Sequence, residues 1–471
     1  MKSPSDPTAG QETERRTMVG YLQITKAALD NLAWADERSP KFADHLSNFC
    51  EVPMCTASMR ECDPFSRPKS GLRAALLLVC CAVACTPQNK SNGVSTTTST
   101  AASPASDDFS PQTLAAGRQT FRFDTFGDEQ FWTDTARMHE VVQTSVSPTT
   151  ALSVGLKVDA DAIPPDVAAA IKAGKVDLKD PATTVTLLKL NAVVGLKGTV
   201  TTVNGKDNLT RLGITCALCH STVDDAFSKG IGHRKDGWPN RDLNVGAIIA
   251  LSPAITPTQK AVYNSWGPGK YDPRFNIDGK NTPLVLPPAY GLARVRNETY
   301  TAEGPISYWN AYVAVTQMHG HGNFSDPRLG VNIRQTPDMV GPKLASLRAY
   351  QHSIEAPAPP AGSFDADASA RGRVVFNQNC VTCHVGANNT DNNSGVLHTP
   401  SETGQDASYA LRTANKSYRT TPLRALWQHA PYFHDGSAAT LEDVVTHYNN
   451  FRRLNLSAAQ QRDLIQYLKS L

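Results

Sequence analysis

Two short segments of this chain have the residue types and the spacing that attach a haem group to a protein. In each, two cysteines lie three positions apart and a histidine directly follows the second. The residues are Cys216, Cys219 and His220 in the first motif, and Cys380, Cys383 and His384 in the second. The two cysteines reach both vinyl groups of one porphyrin as thioethers, and the histidine binds the iron as proximal ligand. The doubled motif predicts two covalently bound haem c groups.

Two other kinds of site also use paired cysteines. Some zinc sites combine two Cys-x-x-Cys pairs, and thioredoxin-like redox sites use a single pair. Zinc would not require a histidine directly after both pairs, and a dithiol enzyme would need only one pair inside a βαβ pattern. We therefore favour haem over both alternatives.

The remaining cysteines indicate the compartment, because all of them lie at or before Cys85. A basic flank at residues 69–73 and a short apolar run precede Cys85, which is typical of an export signal too short to span a membrane. Residues 82–85 resemble a bacterial lipoprotein box that would lipidate Cys85, and ordinary cleavage after Ala84 is the alternative. We expect a periplasmic protein whose membrane contact is a lipid anchor at Cys85.

The predicted signal peptide covers residues 59–84, although a signal peptide normally begins a chain. Residues 1–58 are therefore a doubtful extension, and we expect the true start at Met54 or Met59. The Ser/Thr/Ala-rich residues 85–108 cannot bury enough apolar surface to fold, so they predict a flexible tether.

The folded part is predicted to contain two domains. A proline-rich linker at residues 356–362 separates an N-terminal haem domain, residues 109–355, from a C-terminal haem domain, residues 363–471. We expect a mainly α fold with two cytochrome c-like haem domains, the N-terminal one enlarged by long loops and a small β-hairpin. The hairpin is predicted from the β-branched residues 193–203 and the Asn-Gly pair that follows them.

Helix signals are clearest in two places. Start and stop residues predict a short helix at 167–173. In the C-terminal domain, residues 365–379 predict a helix that delivers Cys380 and turns Val374, Val375 and Phe376 towards the core. A capping box at residues 457–460 opens a last helix, whose apolar stripe consists of Leu464, Ile465, Leu468 and Leu471.

The net charge is +3. The propionates of two haems would bring the loaded protein close to neutrality, which argues against a nucleic-acid partner.

Two segments carry a specific resemblance. Residues 418–426 read Tyr-Arg-Thr-Thr-Pro-Leu-Arg-Ala-Leu, and residues 430–445 begin Ala-Pro-Tyr-Phe-His-Asp-Gly. Together they resemble the C-terminal domain of bacterial di-haem cytochrome c peroxidases and their MauG-type relatives. The region that includes residues 230–241 is similar more loosely, and the resemblance covers about residues 211–471.

The resemblance implies roles for individual residues. His220 would be the proximal ligand of a peroxide-reacting haem, and His384 that of an electron-relaying haem. His233 would be a second axial ligand of the first iron, or otherwise a surface histidine. Asn240 and the backbone carbonyls of Thr420 and Pro422 lie where this family holds an interdomain calcium ion, which prefers oxygen ligands.

The chain also departs from the family. The stretch that brings a tryptophan between the haems is not found, and Trp309 is the nearest substitute, with a core aromatic residue as the alternative. The catalytic glutamate cannot be placed either. Gln317 and His319 could act as acid/base groups or as an axial ligand at the first iron, and the alternative is an ordinary loop.

The last expectation concerns the distal ligand of the second haem. No methionine follows Met339, so the usual His/Met pair cannot form in this domain. By register within the family, Tyr448 occupies the ligand position, as in MauG-type relatives. His447 and His434 are the alternatives.

These features support three hypotheses. The first is a peroxidase that reduces hydrogen peroxide with electrons from a small cytochrome or a cupredoxin. The second is a MauG-like or rubber-oxygenase-like enzyme that oxidises an organic or protein substrate. The third is an electron carrier without enzymatic activity.

Overall fold

A computed structural model of the protein describes residues 107–471. The predicted extension, the signal peptide, the Cys85 anchor and most of the tether lie outside this range. The described part is mainly helical, as expected. Its α-helices in chain order are α1 Pro111–Phe123, α2 Met138–Ser145, α3 Pro148–Ser153, α4 Pro165–Lys172, α5 Pro181–Lys189, α6 Ala217–His220, α7 Val245–Ala250, α8 Pro257–Asn264, α9 Phe275–Asp278, α10 Ile306–Tyr312, α11 Leu344–Ser353, α12 Ala366–Asn379, α13 Pro400–Thr403, α14 Leu441–Phe451 and α15 Ala458–Lys469.

The strands are short and pair two by two. They are β1 Val158–Asp159, β2 Leu196–Val203, β3 Lys206–Ile214, β4 Ser221–Val223, β5 Ile231–Gly232, β6 Arg234–Asp236, β7 Lys270–Tyr271, β8 Leu284–Val285, β9 Phe324–Asp326 and β10 Val331–Ile333. The pair β1–β5 is parallel, and the pairs β2–β3, β4–β6, β7–β8 and β9–β10 are antiparallel.

The predicted β-hairpin is confirmed as β2 and β3. Asn204 and Gly205 join its strands with φ values of 52° and 75°, the backbone conformation that a two-residue hairpin turn requires. At its base, the Thr215 N–H donates to the Gly195 carbonyl at 2.9 Å. A Cβ atom at Gly195 would lie 2.1 Å from the Cα atom of Leu218, so glycine lets the hairpin pack directly against the first haem motif.

Two apolar cores fill the part of the chain before the linker. The first includes Val185, Leu188 and Leu243, and the second includes Phe121 and Tyr312, all with 0% exposure. Cys219 packs against the first core and Cys216 against the second. The first motif therefore lies where the two cores meet.

A third core lies in the part after the linker, between α12, α14 and α15. Gly372 permits close packing of α12 on α15, because a Cβ atom there would lie 2.0 Å from the Asp463 carbonyl oxygen. Val375 and Phe376 are buried as predicted, but the prediction for Val374 was wrong, since it is 55% exposed. A helix rotates about 100° per residue, so three consecutive side chains cannot all face one core.

The last helix begins with the predicted capping box of Ser457 and Gln460, and its stripe residues Leu464, Ile465 and Leu468 are buried. Within residues 107–471, no helix combines the length and the apolar character needed to cross a membrane.

Candidate functional site

The second haem motif forms a tight turn at the end of α12. The Cys380 N–H donates to the Phe376 carbonyl at 2.8 Å, and the N–H groups of Cys383 and His384 donate to the Cys380 carbonyl at 3.3 and 3.0 Å. This turn places both cysteines and the histidine in the wall of one cavity. The four motif cysteines are free thiols, as thioether formation requires.

The cavity has a volume of about 470 Å³, within the range of small-molecule and cofactor sites. Much of its wall is apolar and comes from α12, α14 and α15. These apolar lining residues are Phe376, Leu441, Val444, Val445, Leu464 and Leu468. Such a wall suits a flat macrocycle, and the polar lining residues indicate how its edge would be held.

Two arginines in the wall have buried guanidinium nitrogens without partners. In both Arg241 and Arg419, Nε and one terminal nitrogen are buried and make no hydrogen bond. Burial lowers the pKa of Arg241, and it lowers the pKa of Arg419 to about 10. Glu298 lies near Arg419, but the buried N–H groups of both arginines are still unsatisfied. Buried donors without partners are unfavourable, so the cavity favours an anionic ligand. The propionates of a haem are such anions, and the residues present therefore fit haem c.

The orientation of His384 also suits a metal ligand. Its Nδ1–H donates to the Asn389 carbonyl at 2.9 Å, which leaves the lone pair of Nε2 free. Burial lowers the pKa of His384 and so favours the neutral imidazole that binds iron.

A zinc site is less well supported at this motif. Cys383, Asp391 and His398 bring potential ligand atoms to within 4.8 Å of one another. However, His398 and Asp391 already share a hydrogen bond of 2.8 Å, and structural zinc sites use four ligands. Cys383 also lines the cavity beside Cys380.

The first motif forms the one-turn helix α6 and has a matching arrangement. The His220 Nδ1–H donates to the Pro287 carbonyl at 3.0 Å, and burial lowers the pKa of His220 to about 4. Burial raises the pKa of Cys216 and Cys219 to about 12, so both stay protonated thiols. His220 therefore has a neutral ring with a free Nε2, like His384.

Gln317 and His319 lie within and just after the π-helical segment Val313–Gln317. The Gln317 side chain is buried and accepts a hydrogen bond of 2.7 Å from the Tyr271 hydroxyl. His319 stacks on Phe131 with ring centroids 3.6 Å apart, and burial lowers its pKa to about 4. Tyr271 lies close enough to Cys219 for the thiol to affect its pKa, which connects Gln317 to the first motif.

Trp309 and His233 are not among the residues that line the cavity of the second motif. Trp309 packs edge-on against Tyr308 and Tyr312 beside the second core, as the core-aromatic alternative expects. The side chain of His233 is 63% exposed and pairs with Asp161 at 2.8 Å, as the surface-histidine alternative expects.

The three predicted calcium ligands differ in how free their oxygens are. Oδ1 of Asn240 is buried without a hydrogen-bond partner, although its Nδ2 donates to the Gly155 carbonyl at 2.9 Å. The Thr420 carbonyl accepts a hydrogen bond of 2.6 Å from the Thr390 hydroxyl. Thr420 and Pro422 both line the cavity of the second motif.

The three candidates for the distal ligand of the second haem differ in their surroundings. Tyr448 lines the cavity together with Cys380 and His384, and burial raises its pKa to about 12. The Nε2–H of His447 instead donates to the Thr403 carbonyl at 3.0 Å. His434 lines the cavity too, but its Nε2 is hydrogen-bonded to the Tyr418 hydroxyl at 3.0 Å.

An aromatic connection between the two motifs was missed in the sequence. Trp238 contacts Trp427 with ring centroids 5.7 Å apart and Tyr290 with centroids 6.3 Å apart. The Tyr290 hydroxyl lies 3.1 Å from Nε2 of His429, and Tyr290 and His429 both line the second cavity. In the sequence, Trp238 lies in the segment 230–241, where the resemblance concerns a histidine, and no local pattern there indicates Trp427 as its partner.

Residues 237–241 tie this aromatic connection to the first motif. The Gly237 N–H donates to the His220 carbonyl at 2.8 Å, and the Asn240 N–H donates to the Cys219 carbonyl at 2.9 Å. Arg241 then reaches the second cavity. One five-residue segment thus contacts the backbone of the first motif and the wall of the second site.

The fold and the cavity of the C-terminal part define a c-type cytochrome domain, and residues 369–471 match the cytochrome c family. A longer similarity exists to the methylamine utilization protein MauG of Methylophilus methylotrophus, with 29% identity over 55% of this chain and 76% of that protein. These similarities confirm the resemblance to the MauG and di-haem peroxidase family, and they support an oxidoreductase that contains haem c.

Partial structural likenesses also exist. A hydrazine synthase of Kuenenia stuttgartiensis aligns with 40% of this chain and 73% of its own chain, at 20% identity and a TM-score of 0.29. A MauG-like protein associated with microbial copper homeostasis aligns with 41% of this chain and 74% of its own chain, at 18% identity and a TM-score of 0.30.

Proposed function

We propose that this protein is an exported di-haem c-type cytochrome that acts as a peroxidase. Hydrogen peroxide would be reduced at the first motif, and electrons from a small cytochrome or a cupredoxin would enter through the second. The observation that carries this proposal is the continuous aromatic connection from Trp238, beside the first motif, to the wall of the second cavity. An isolated haem would not need such a connection.

Haem at the first motif would supply the iron chemistry for peroxide reduction, and haem at the second would pass electrons to it. The chain's own residues hold the two sites in place. His220 and His384 each present a neutral ring fixed by a backbone carbonyl. His319 is neutral at pH 7 because burial lowers its pKa to about 4, so it would act through a neutral ring at the first haem, as a hydrogen-bonding group or an axial ligand. Gln317 would orient a polar ligand through its network with Tyr271.

The test uses holoprotein produced in a bacterial periplasm together with two double variants, Cys216→Ala/Cys219→Ala and Cys380→Ala/Cys383→Ala. We expect a pyridine haemochrome assay to give two haems per chain in the wild type and one in each variant. Steady-state turnover of peroxide with a reduced donor should be lost in both variants. One haem in the wild type would refute the di-haem assignment, and two haems without turnover would refute the peroxidase.

A second function is favoured by Tyr448. A phenolate is a hard anionic donor that favours ferric over ferrous iron and makes higher oxidation states easier to reach. A tyrosine in the cavity wall therefore suits MauG-like oxidation of an organic or protein substrate. Slow peroxide turnover with a simple donor, together with peroxide-dependent oxidation of an added phenol or aromatic peptide, would identify this activity. Six-coordinate spectra of both haems without any turnover would instead indicate an electron carrier.

The proposal also includes a bound calcium ion and export of the protein. The unpartnered Oδ1 of Asn240 is an oxygen ligand of the kind that calcium prefers, and turnover measured with and without calcium tests this site. The Cys85 lipid anchor is tested by mass spectrometry of the mature N-terminus. An unmodified Cys85 at that terminus would reject the anchor but not export.

A further inference from the structure

The loop after α13 holds a carboxamide whose role is not explained by the fold. Gln405 lines the cavity of the second motif, and its Nε2 is buried without a hydrogen-bond partner of normal geometry. A buried N–H group without a partner is unfavourable. An unsatisfied donor in the wall of a cofactor cavity indicates that its hydrogen-bond acceptor reaches its final position only when the cofactor is bound.

Tyr448 is the acceptor that this carboxamide faces. The Gln405 carboxamide lies beside the Tyr448 hydroxyl. Both Gln405 and Tyr448 lie in the cavity wall. The two side chains are therefore close enough to interact in the structure itself.

The position of Gln405 relative to Tyr448 is fixed by the neighbours of each residue. His447 precedes Tyr448 in α14, and its Nε2–H donates a hydrogen bond of 3.0 Å to the Thr403 carbonyl. Phe451, one turn later, packs against Gly404, where an added Cβ atom would lie 2.7 Å from its ring. Gly404 has a φ of 70°, which turns the chain directly into Gln405. The helix that carries the tyrosine thus also anchors the loop that carries the glutamine.

We propose that Gln405 is a positioning residue that donates a hydrogen bond to the phenol oxygen of Tyr448 when that oxygen binds the iron of the C-terminal haem. This inference rests on the proposed role of Tyr448 as the distal ligand. A hydrogen bond to the bound phenolate withdraws electron density from it and so weakens its donation to ferric iron. Gln405 thereby raises the reduction potential of this haem.

The test compares the wild-type holoprotein with two variants of Gln405, a control variant of Gln428 and the ligand variant Tyr448→Phe. Gln405→Leu keeps the approximate size but removes the donor, and Gln405→Glu replaces the amide donor by a carboxylate. Gln428→Leu is the matched control, because its Nε2 is also buried without a partner but Gln428 is outside the cavity wall. The readouts are haem content, the ferric spectrum of each haem and the midpoint potential from a spectroelectrochemical titration, none of which needs turnover.

We expect Gln405→Leu to keep two haems per chain, to shift the midpoint potential of the C-terminal haem downwards and to shift only that haem's ferric spectrum. Gln405→Glu should perturb the same haem, and Gln428→Leu should match the wild type. An unchanged potential and spectrum in both Gln405 variants would overturn the proposal, provided that Tyr448→Phe alters the spectrum. If Tyr448→Phe changes nothing, the ligand assignment itself fails and the role of Gln405 fails with it.

Discussion

The indole rings of Trp238 and Trp427 meet edge-to-face, with centroids 5.7 Å apart and an interplanar angle of 76°. Trp238 belongs to the segment hydrogen-bonded to the first haem motif, and Trp427 belongs to the C-terminal part of the chain. The contact joins two aromatic systems that come from different halves of the protein. It therefore links the surroundings of the first motif to those of the second.

We predict that Trp238→Phe slows electron transfer between the two proposed haems, because the smaller ring withdraws from Trp427 and Tyr290. Stopped-flow mixing of the reduced protein with peroxide measures the rate at which the second haem is oxidised. Trp309→Phe is the control, since Trp309 packs beside the second core and should leave that rate near the wild-type value. The opposite result, with only Trp309→Phe slowing transfer, would restore Trp309 as the relay.

The sequence was sufficient to predict features determined by local chemistry. The β2–β3 hairpin, the helix that delivers Cys380 and the capping box at Ser457 all follow from turn, spacing and capping residues that are neighbours in the chain. Tyr448 was placed by register with a family, and the structure puts it in the cavity wall.

Features that depend on residues distant in the chain were not predictable in this way. Trp238 and Trp427 are separated by 189 positions, and neither has a local pattern that indicates its partner. The same holds for Arg241 and Arg419, which reach the cavity of the second motif from different segments. The error at Val374 had another cause, because a run of apolar residues does not show which of them a helix turns outwards.

Helix α12 offers one buried and one exposed position whose substitutions should affect the free energy of unfolding differently. Phe376→Ala should lower the free energy of unfolding by about 3–5 kcal/mol, because it leaves a cavity in the third core. Val374→Ala, at a position 55% exposed, should change it by less than about 0.5 kcal/mol. Urea unfolding of both variants measures the difference. Equal losses would mean that Val374 is packed after all.

Tyr448→Phe should change the ferric spectrum of one haem only, since the phenyl ring cannot bind iron. His447→Ala should leave the ligand-specific bands of the haem spectrum unchanged. His447 donates a hydrogen bond to the Thr403 carbonyl and does not line the cavity. Electron paramagnetic resonance of the two variants distinguishes them. A spectrum altered by His447→Ala and not by Tyr448→Phe would make His447 the ligand.

His352 predicts a pH dependence of stability. Burial opposes its protonation, but hydrogen bonds to Glu298 at 3.1 Å and Asp107 at 2.6 Å outweigh this and raise its pKa. The contribution of His352 to the free energy of unfolding is fully present below its unfolded-state pKa of about 6.5. That contribution is lost as the pH rises through the higher pKa of the folded state. His352→Gln should flatten this fall in unfolding curves recorded across neutral pH. A fall of the same size in the variant would assign it to another group.

Arg419→Gln should destabilise the loaded protein by about 3–5 kcal/mol, because the variant would remove the cation that we expect to pair with a haem propionate in the cavity. It should also lower the midpoint potential of the C-terminal haem, since a nearby cation disfavours the more positive ferric state. Arg371→Gln is the control, because Arg371 pairs with Asp463 at the surface. A lowered midpoint potential in Arg371→Gln as well would indicate a general effect of net charge.

The placement of Arg241 limits how far the C-terminal part can be treated as a separate module. One of the guanidinium groups in the wall of its cavity comes from a residue far upstream of the linker, on a segment hydrogen-bonded to the first motif. Transplanting residues 363–471 onto another protein would carry over the attachment cysteines but leave this cation behind. Such a fusion would have to provide an arginine from its new partner at the same place in the cavity wall.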